Sequence, residues 1–265
     1  MKVASTAHTP SQDAALAPLP ITNTDITDAL VTGWRTFRAL PVASMAFAAL
    51  FALIGLLVLV AVGAFGVAPM ALPIASGFML IGPALLTGFF RLAVIHAAGR
   101  RPRLMDAFGA FAGAPAGLWL VALLCAFLFL IWITDAAVLY TVMIGAEHVP
   151  YELPWLPGLQ QPVVAFELWA ALMGSVLAFI ILAISAFSVP LLHERRAGLV
   201  AAIHASVRAV FGNFLVCIAW GLVLTGATLL SIMLLPLLTV VLPVLAYASF
   251  ALYRKVFPAA SKEHP

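Results

Sequence analysis

Charge is scarce in this chain. Only 9% of its 265 residues are Asp, Glu, Lys or Arg, where a soluble domain carries about 25%. A water-soluble protein that is 65% hydrophobic could not cover its surface with polar groups. Cysteine is scarcer still. Cys125 and Cys217 stand alone in apolar runs, which excludes a disulfide framework, a C-x-x-C pair and a C-x-x-C-H haem attachment. Both read as small buried apolar side chains. No H-E-x-x-H, H-x-H or H-H occurs, and no G-x-S-x-G, Walker or dinucleotide loop. His96, His148, His193 and His204 are scattered, so no metal or haem site is expected and no cofactor is assigned. The N-terminus lacks the apolar core of a cleavable signal peptide. Residues 1–20 hold one basic residue and three prolines.

What is present is long apolar sequence. The mean hydropathy is +1.15, and a membrane helix needs about 20 apolar residues. Six spans are expected, at about 42–67, 70–97, 116–144, 163–192, 214–233 and 238–257. The last apolar stretch, 214–257, is too long for one crossing, and Pro236 is the expected breaker. Residues 1–22 read as a disordered tail, 23–257 as one membrane domain and 258–265 as a second tail.

Three short amphipathic helices precede the pairs of spans. In Asn23 to Leu40, Ile26, Leu30, Trp34 and Phe37 form one apolar stripe, with Arg35 and Arg38 beside it. Leu104 to Ala112 presents Leu104, Phe108 and Phe111; Ala197 to Phe211 presents Leu199, Ile203, Val207, Val210 and Phe211. All three are expected to lie on the membrane surface. The expected fold is therefore an all-α polytopic transmembrane bundle. It consists of three repeats, each a surface amphipathic helix followed by a transmembrane hairpin. Ala29-Leu30 aligns with Ala202-Ile203, and Asp28-Ala29-Leu30 with Asp106-Ala107-Phe108. Pro83, Pro190 and Pro243 recur in the second helix of each hairpin.

Twelve of the thirteen basic residues fall on one side of this arrangement, and the opposite loops carry none. By the positive-inside rule both termini are cytoplasmic. The pI of 9.1 reflects that bias and not nucleic-acid binding.

Ionisable residues within spans are suspected of function by default. Arg91, Asp135 and Glu167 are the candidates. Arg91 lies near a cytoplasmic end, where it can snorkel. Asp135 lies about 30 Å into the third span at 1.5 Å per residue, near the outer face, as does Glu167. Arg91 should therefore pair with neither. Trp34, Arg35, Arg38 and Trp155 are expected interfacial anchors. Gly109, Gly113 and Gly117 form a stripe that permits close packing.

The segments DALVTGWRTFRALP (28–41), IGPALL (81–86), FSVPLLHER (187–195) and SVRAV (206–210) together resemble a bacterial family of predicted integral membrane proteins, domain of unknown function 2189. The resemblance implies a bacterial inner-membrane location and no established activity. Some members carry a cytochrome c oxidase subunit I label, but this chain lacks the paired membrane histidines such a subunit needs. Three functions are weighed. A non-catalytic accessory or interaction protein, in lipid and beside another membrane protein such as a respiratory complex, ranks first. A small-molecule or lipid transporter is the alternative. A membrane enzyme ranks last.

Overall fold

The computed structural model describes residues 16–76, 85–145 and 161–258. All regular secondary structure in those segments is helical. The helices are α1 (Asn23–Ala39), α2 (Pro41–Ala64), α3 (Thr87–Ala97), α4 (Leu104–Ala112), α5 (Ala116–Met143), α6 (Gln161–Ser185), α7 (Ser188–His193), α8 (Leu199–Gly212), α9 (Phe214–Met233) and α10 (Leu238–Val256). A 3₁₀ turn (Ala68–Met70) leads into a helical stretch over 71–76. Another (Leu235–Leu237) contains Pro236 and separates α9 from α10, where the sequence placed the breaker.

Among the described residues, five helices are long and apolar enough to cross a membrane: Pro41–Ala64, Ala116–Met143, Pro162–His193, Phe214–Ile232 and Leu235–Val256. Of the expected span 70–97, residues 77–84, including Pro83, lie outside the described residues.

These five fall into two layers. In the most apolar window of α2, α5 and α9, 22% of residues are buried, against 50% in Pro162–His193 and in Leu235–Val256. Helices α2, α5 and α9 are thus peripheral. They turn Leu53, Leu57, Val60, Leu123, Phe127 and Leu222 outward. Pro162–His193 and α10 are central. Phe90 of α3 stacks on Phe250 of α10 with ring centroids 4.9 Å apart, and meets His193 of α7 at 6.1 Å.

The short helices are not loose on a surface. α4 packs on α3, and α8 on α6 and α7, so each leans on the helix before it. α1 leans on the last helix, α10, which closes the series into a ring. Asp25 and Asp28 meet Lys255, while Gly33 meets Val244 and Ala248; this order makes α1 and α10 antiparallel.

The buried faces differ from the apolar stripes read in the sequence. On α1 they are Ile26, Ala29, Gly33 and Phe37, so Leu30 and Trp34 drop out and Trp34 is 46% exposed. On α4 the buried residues are Ala107 and Ala110; on α8 they are Ala202, Ala205, Ser206, Ala209 and Val210. Small residues let backbones approach closely, which lipid-embedded helices favour because packing, not water exclusion, joins them. Ala29, Ala107 and Ala202, aligned in the sequence, are all fully buried.

Backbone ends and breaks are satisfied locally, as a low-dielectric surrounding requires. Thr22 caps α1: its N–H donates to Asp25 Oδ2 at 2.8 Å. Between α6 and α7 the helical ladder breaks ahead of Pro190. Ser206 of α8 bridges the gap, accepting from Phe187 N and donating to Ala183 O. Residues 16–22, assigned to a disordered tail from composition, include a pinned segment. Leu19 N donates to Val256 O, and Ile21 N to Asn213 Oδ1. Asn213 is buried and needs those partners.

Gly33 and Gly226 should respond oppositely to a side chain. A Cβ on Gly33 would sit 2.5 Å from Val244 O and 2.9 Å from Ala248 N, backbone atoms that cannot swing away. Gly33→Leu should cost about 1–3 kcal/mol or more. Gly226 has open space around its Cβ position, so Gly226→Ala should be neutral or gain up to ~1 kcal/mol. Thermal unfolding in detergent separates the two; equal losses would contradict the packing.

Candidate functional site

Several charged residues from distant segments converge at one end of the bundle. Helices α3 and α7 end there, α4 begins there, and α10 delivers Arg254 and Lys255. Glu194 is the hub. Its Oε2 accepts from the Tyr253 hydroxyl at 2.8 Å, its Oε1 from Arg254 Nη2 at 3.0 Å, and Arg196 Nη1 lies 3.9 Å away. Arg196 also donates to the carbonyls of Phe257 and Pro258 and to the Tyr253 hydroxyl. Arg254 lies over the Phe250 ring at 4.5 Å, a cation–π contact.

A second tie joins α1 to α10. Lys255 Nζ reaches Asp25 Oδ1 at 2.7 Å and Asp28 Oδ2 at 2.8 Å. Lys255 and the Thr22 N–H and hydroxyl hold the Asp25 carboxyl down to about 2, from its ordinary 3.8.

Beside this network lies a cleft of about 750 Å³. Arg91, Val94, Ile95 and Arg100 line one wall; Asp106, Ala110 and Gly113 to Pro115 line the second; His193 to Arg196 close the third. The glycine stripe borders it. A Cβ on Gly109 would meet Arg91 Nε at 3.2 Å, the Gly113 carbonyl accepts from Arg195 Nη2 at 3.0 Å, and Gly117 packs on Leu192 and Leu199.

Arg91 therefore stands in this cleft, apart from the other two ionisable candidates. The α5–α6 hairpin fixes their depth: Tyr140 meets Phe166 at 5.7 Å, and Trp132 abuts Gly174. In that register Glu167 faces residue 139, about 6 Å along the axis from Asp135. Both lie far from the end where Gly117 touches Leu192. Neither makes a hydrogen bond or ion pair among the described residues, and the structure does not join them. Trp34, Arg35 and Arg38 are exposed on α1; Trp155 lies outside the described residues. Among the described residues no group of three or more His, Cys, Asp or Glu side chains is placed to hold a metal ion.

Sequence reasoning used Arg100, Arg195 and Arg196 only to orient the chain. They come from segments nearly 100 residues apart, and only the fold brings them around one cleft. The glycine stripe was the available signal, but it read as packing alone.

Helices of this length and hydropathy, arranged in hairpins with charge at their ends, define a multi-pass integral membrane protein. Residues 70–194 match the family model Predicted integral membrane protein (DUF2189), which bears out over that segment the resemblance carried by its motifs. The match runs from the 3₁₀ turn before α3 to Glu194 and takes in two walls of the cleft. No curated protein and no solved structure is significantly similar to the chain.

The depressed Asp25 value gives a pH signature. Its folded pKa lies below the unfolded 3.8, so its contribution is present above pH about 4 and is lost as pH falls through about 2. The thermal midpoint should drop over that window by more in the wild type than in Asp25→Asn. Equal acid profiles would show that the Lys255 tie contributes nothing.

Proposed function

We propose that the chain is a non-catalytic accessory or interaction protein of a bacterial inner membrane. It has six spans and cytoplasmic termini, and it works beside another membrane protein such as a respiratory complex. The sixth span is 70–97. The Pro73 carbonyl accepts from Trp132 Nε1 at 2.9 Å, while Phe90 lies beside His193. Trp132 is 15 residues, about 22 Å, along α5 from Gly117, which touches Leu192. Pro73 and Phe90 therefore stand most of a bilayer thickness apart along α5.

The threefold repeat draws support from the ring in which each short helix leans on the preceding hairpin. Equivalent alanines are buried in all three units. The basic residues gathered at one end support cytoplasmic termini.

One observation carries the accessory reading over transport. Several buried hydroxyls within the bundle are consumed by the protein itself. Ser44 bonds Tyr247, Ser185 bonds Ile181 O, Ser188 bonds Ile184 O and Ser231 bonds Ala227 O. Ser44 ties α2 to α10, and the other three donate to carbonyls one turn back, so these donors are not spare to hold a solute. The transporter alternative keeps one supporting feature of the sequence, the prolines Pro73, Pro83 and Pro243 in the even-numbered spans, since broken helices recur at transport sites.

Purification from native membranes into lipid nanodiscs, followed by mass spectrometry of bound proteins, tests the reading. A stoichiometric membrane partner is the expected result. A lone protein that drives solute uptake in proteoliposomes would replace it with transport. Single cysteines at Arg38, Arg101 and Lys262 should react with an impermeant thiol reagent only from the cytoplasmic side, and one at Trp155 only from the other. Reaction of Arg38→Cys and Lys262→Cys from opposite sides would overturn the six-span topology.

A further inference from the structure

We infer that the cleft between α3, α4 and α7 is a binding site for a phosphate group, carried by a lipid headgroup or by a free phosphate ester. The inference does not depend on the accessory reading.

The first ground is uncompensated charge. Four arginines line the cleft against two carboxylates, and both carboxylates are engaged elsewhere. Glu194 is bound by Tyr253 and Arg254, and Asp106 Oδ2 accepts from the Arg103 N–H that it caps. Arg196 is spent on Tyr253, Phe257 and Pro258. Arg91 and Arg100 make no hydrogen bond or ion pair among the described residues, and Arg195 gives only Nη2, to the Gly113 carbonyl. Three guanidiniums thus share one cleft and form no ion pair among the described residues. Each is a rigid fork of donors that fits phosphate oxygens.

The second ground is a comparison within the molecule. Asp28 on α1 and Asp106 on α4 occupy aligned positions. At the α1–α10 joint, Asp28 joins Asp25 in neutralising Lys255. At the α3–α4 joint, Asp106 neutralises no cation. One joint of the ring is closed by its own ion pairs, and the other is left open and basic.

The third ground is backbone strain at one of these arginines. Helix α7 ends with Arg195 N bonded to Leu192 O and Arg196 N to Leu191 O, which forces Arg195 to φ 54°. Glycine is the residue that adopts this conformation freely. The same helix end after α3 uses Gly99 at φ 74°, with Gly99 N on His96 O and Arg100 N on Ile95 O. An arginine at such a position costs stability, and strain of this kind gathers at functional sites.

The cleft opens where the apolar helices end, the level at which headgroup phosphates lie, and basic pockets between membrane helices hold anionic headgroups. Its volume of about 750 Å³ also admits a soluble phosphate ester. Both sources present the same oxygens to the same forks.

The test uses the full chain in detergent, with an Arg195→Gly/Arg100→Ala double variant and an Arg35→Ala/Arg38→Ala control. Neither cleft substitution threatens folding. Arg195→Gly relieves strain and should raise or keep the thermal midpoint, and the Arg100 side chain has no hydrogen bond or ion pair to lose among the described residues. Native mass spectrometry against equal phosphatidylglycerol and phosphatidylcholine reads lipid retention. Thermal unfolding with inorganic phosphate against chloride, at matched ionic strength, reads free anion binding. A phosphatidylglycerol preference kept by the control and weakened in the double variant, by about tenfold per guanidinium removed, identifies the lipid source. A phosphate-dependent rise in midpoint lost only in the double variant, without lipid preference, identifies a free phosphate ester. No response to either probe in the wild type, or a response that the double variant keeps, overturns the site. So does a response lost equally in the control.

Discussion

Hydrocarbon solvates neither charge nor a bare peptide group, and this constraint arranges nearly everything in the molecule. Each basic residue beyond α1 that the structure describes is drawn to one end of the bundle or placed where it can reach that end. Within the apolar helices, hydroxyls return to carbonyls one turn back, as Ser185 does to Ile181 and Ser249 to Leu245. Where a helix breaks, a side chain enters to satisfy the freed groups, as Ser206 does between α6 and α7. Polar groups in such a medium either find a partner or stand near the edge.

The same constraint divides labour between large and small side chains. Lipid tails are as apolar as leucine, so burying leucine against another helix gains little there. Many leucines of α2, α5 and α9 accordingly face outward, Leu53, Leu57, Leu123 and Leu222 among them. The joints of the ring are made by Ala29, Gly33, Ala107, Ala202 and Ser206, where backbones come close. At the charged end the ring closes by ion pairs, Lys255 with Asp25 and Asp28 and Arg254 with Glu194. Partial exposure keeps each such pair modest alone; their shared location lets them act together. The α3–α4 joint breaks this pattern: among the described residues, Arg91, Arg100 and Arg195 form no ion pair there.

Much of the fold was legible in the sequence because hydropathy measures the term that dominates. The span limits follow from length and apolar content, and α4 begins and ends where its pattern predicted, at Leu104 and Ala112. The buried faces of the amphipathic helices were not legible. A stripe such as Ile26, Leu30, Trp34 and Phe37 is chosen by side-chain hydrophobicity, which ranks glycine and alanine low, yet Gly33 and Ala29 make the joint. The closure of the ring by α1 on α10 joins residues more than 220 apart, and no local pattern encodes it. The cleft escaped for the same reason. Arg91 was singled out by its depth, while Arg100 and Arg195 looked like flanking charges until folding set them beside it. Depth reasoning set Asp135 and Glu167 both near the outer face; the Tyr140–Phe166 register separates them by about one helical turn.

The claim on which the account turns is that the first and last described helices meet at one charged end. A chain with Cys125→Ala and Cys217→Ala, carrying Asp28→Cys and Lys255→Cys, tests it with a short bis-maleimide added to native membranes. The account predicts intramolecular cross-linking, because the Lys255 ammonium lies 2.8 Å from the Asp28 carboxylate. Labelling of each cysteine singly, with no cross-link in the pair, would contradict it, since an odd number of crossings would set the two residues a bilayer thickness of about 30 Å apart.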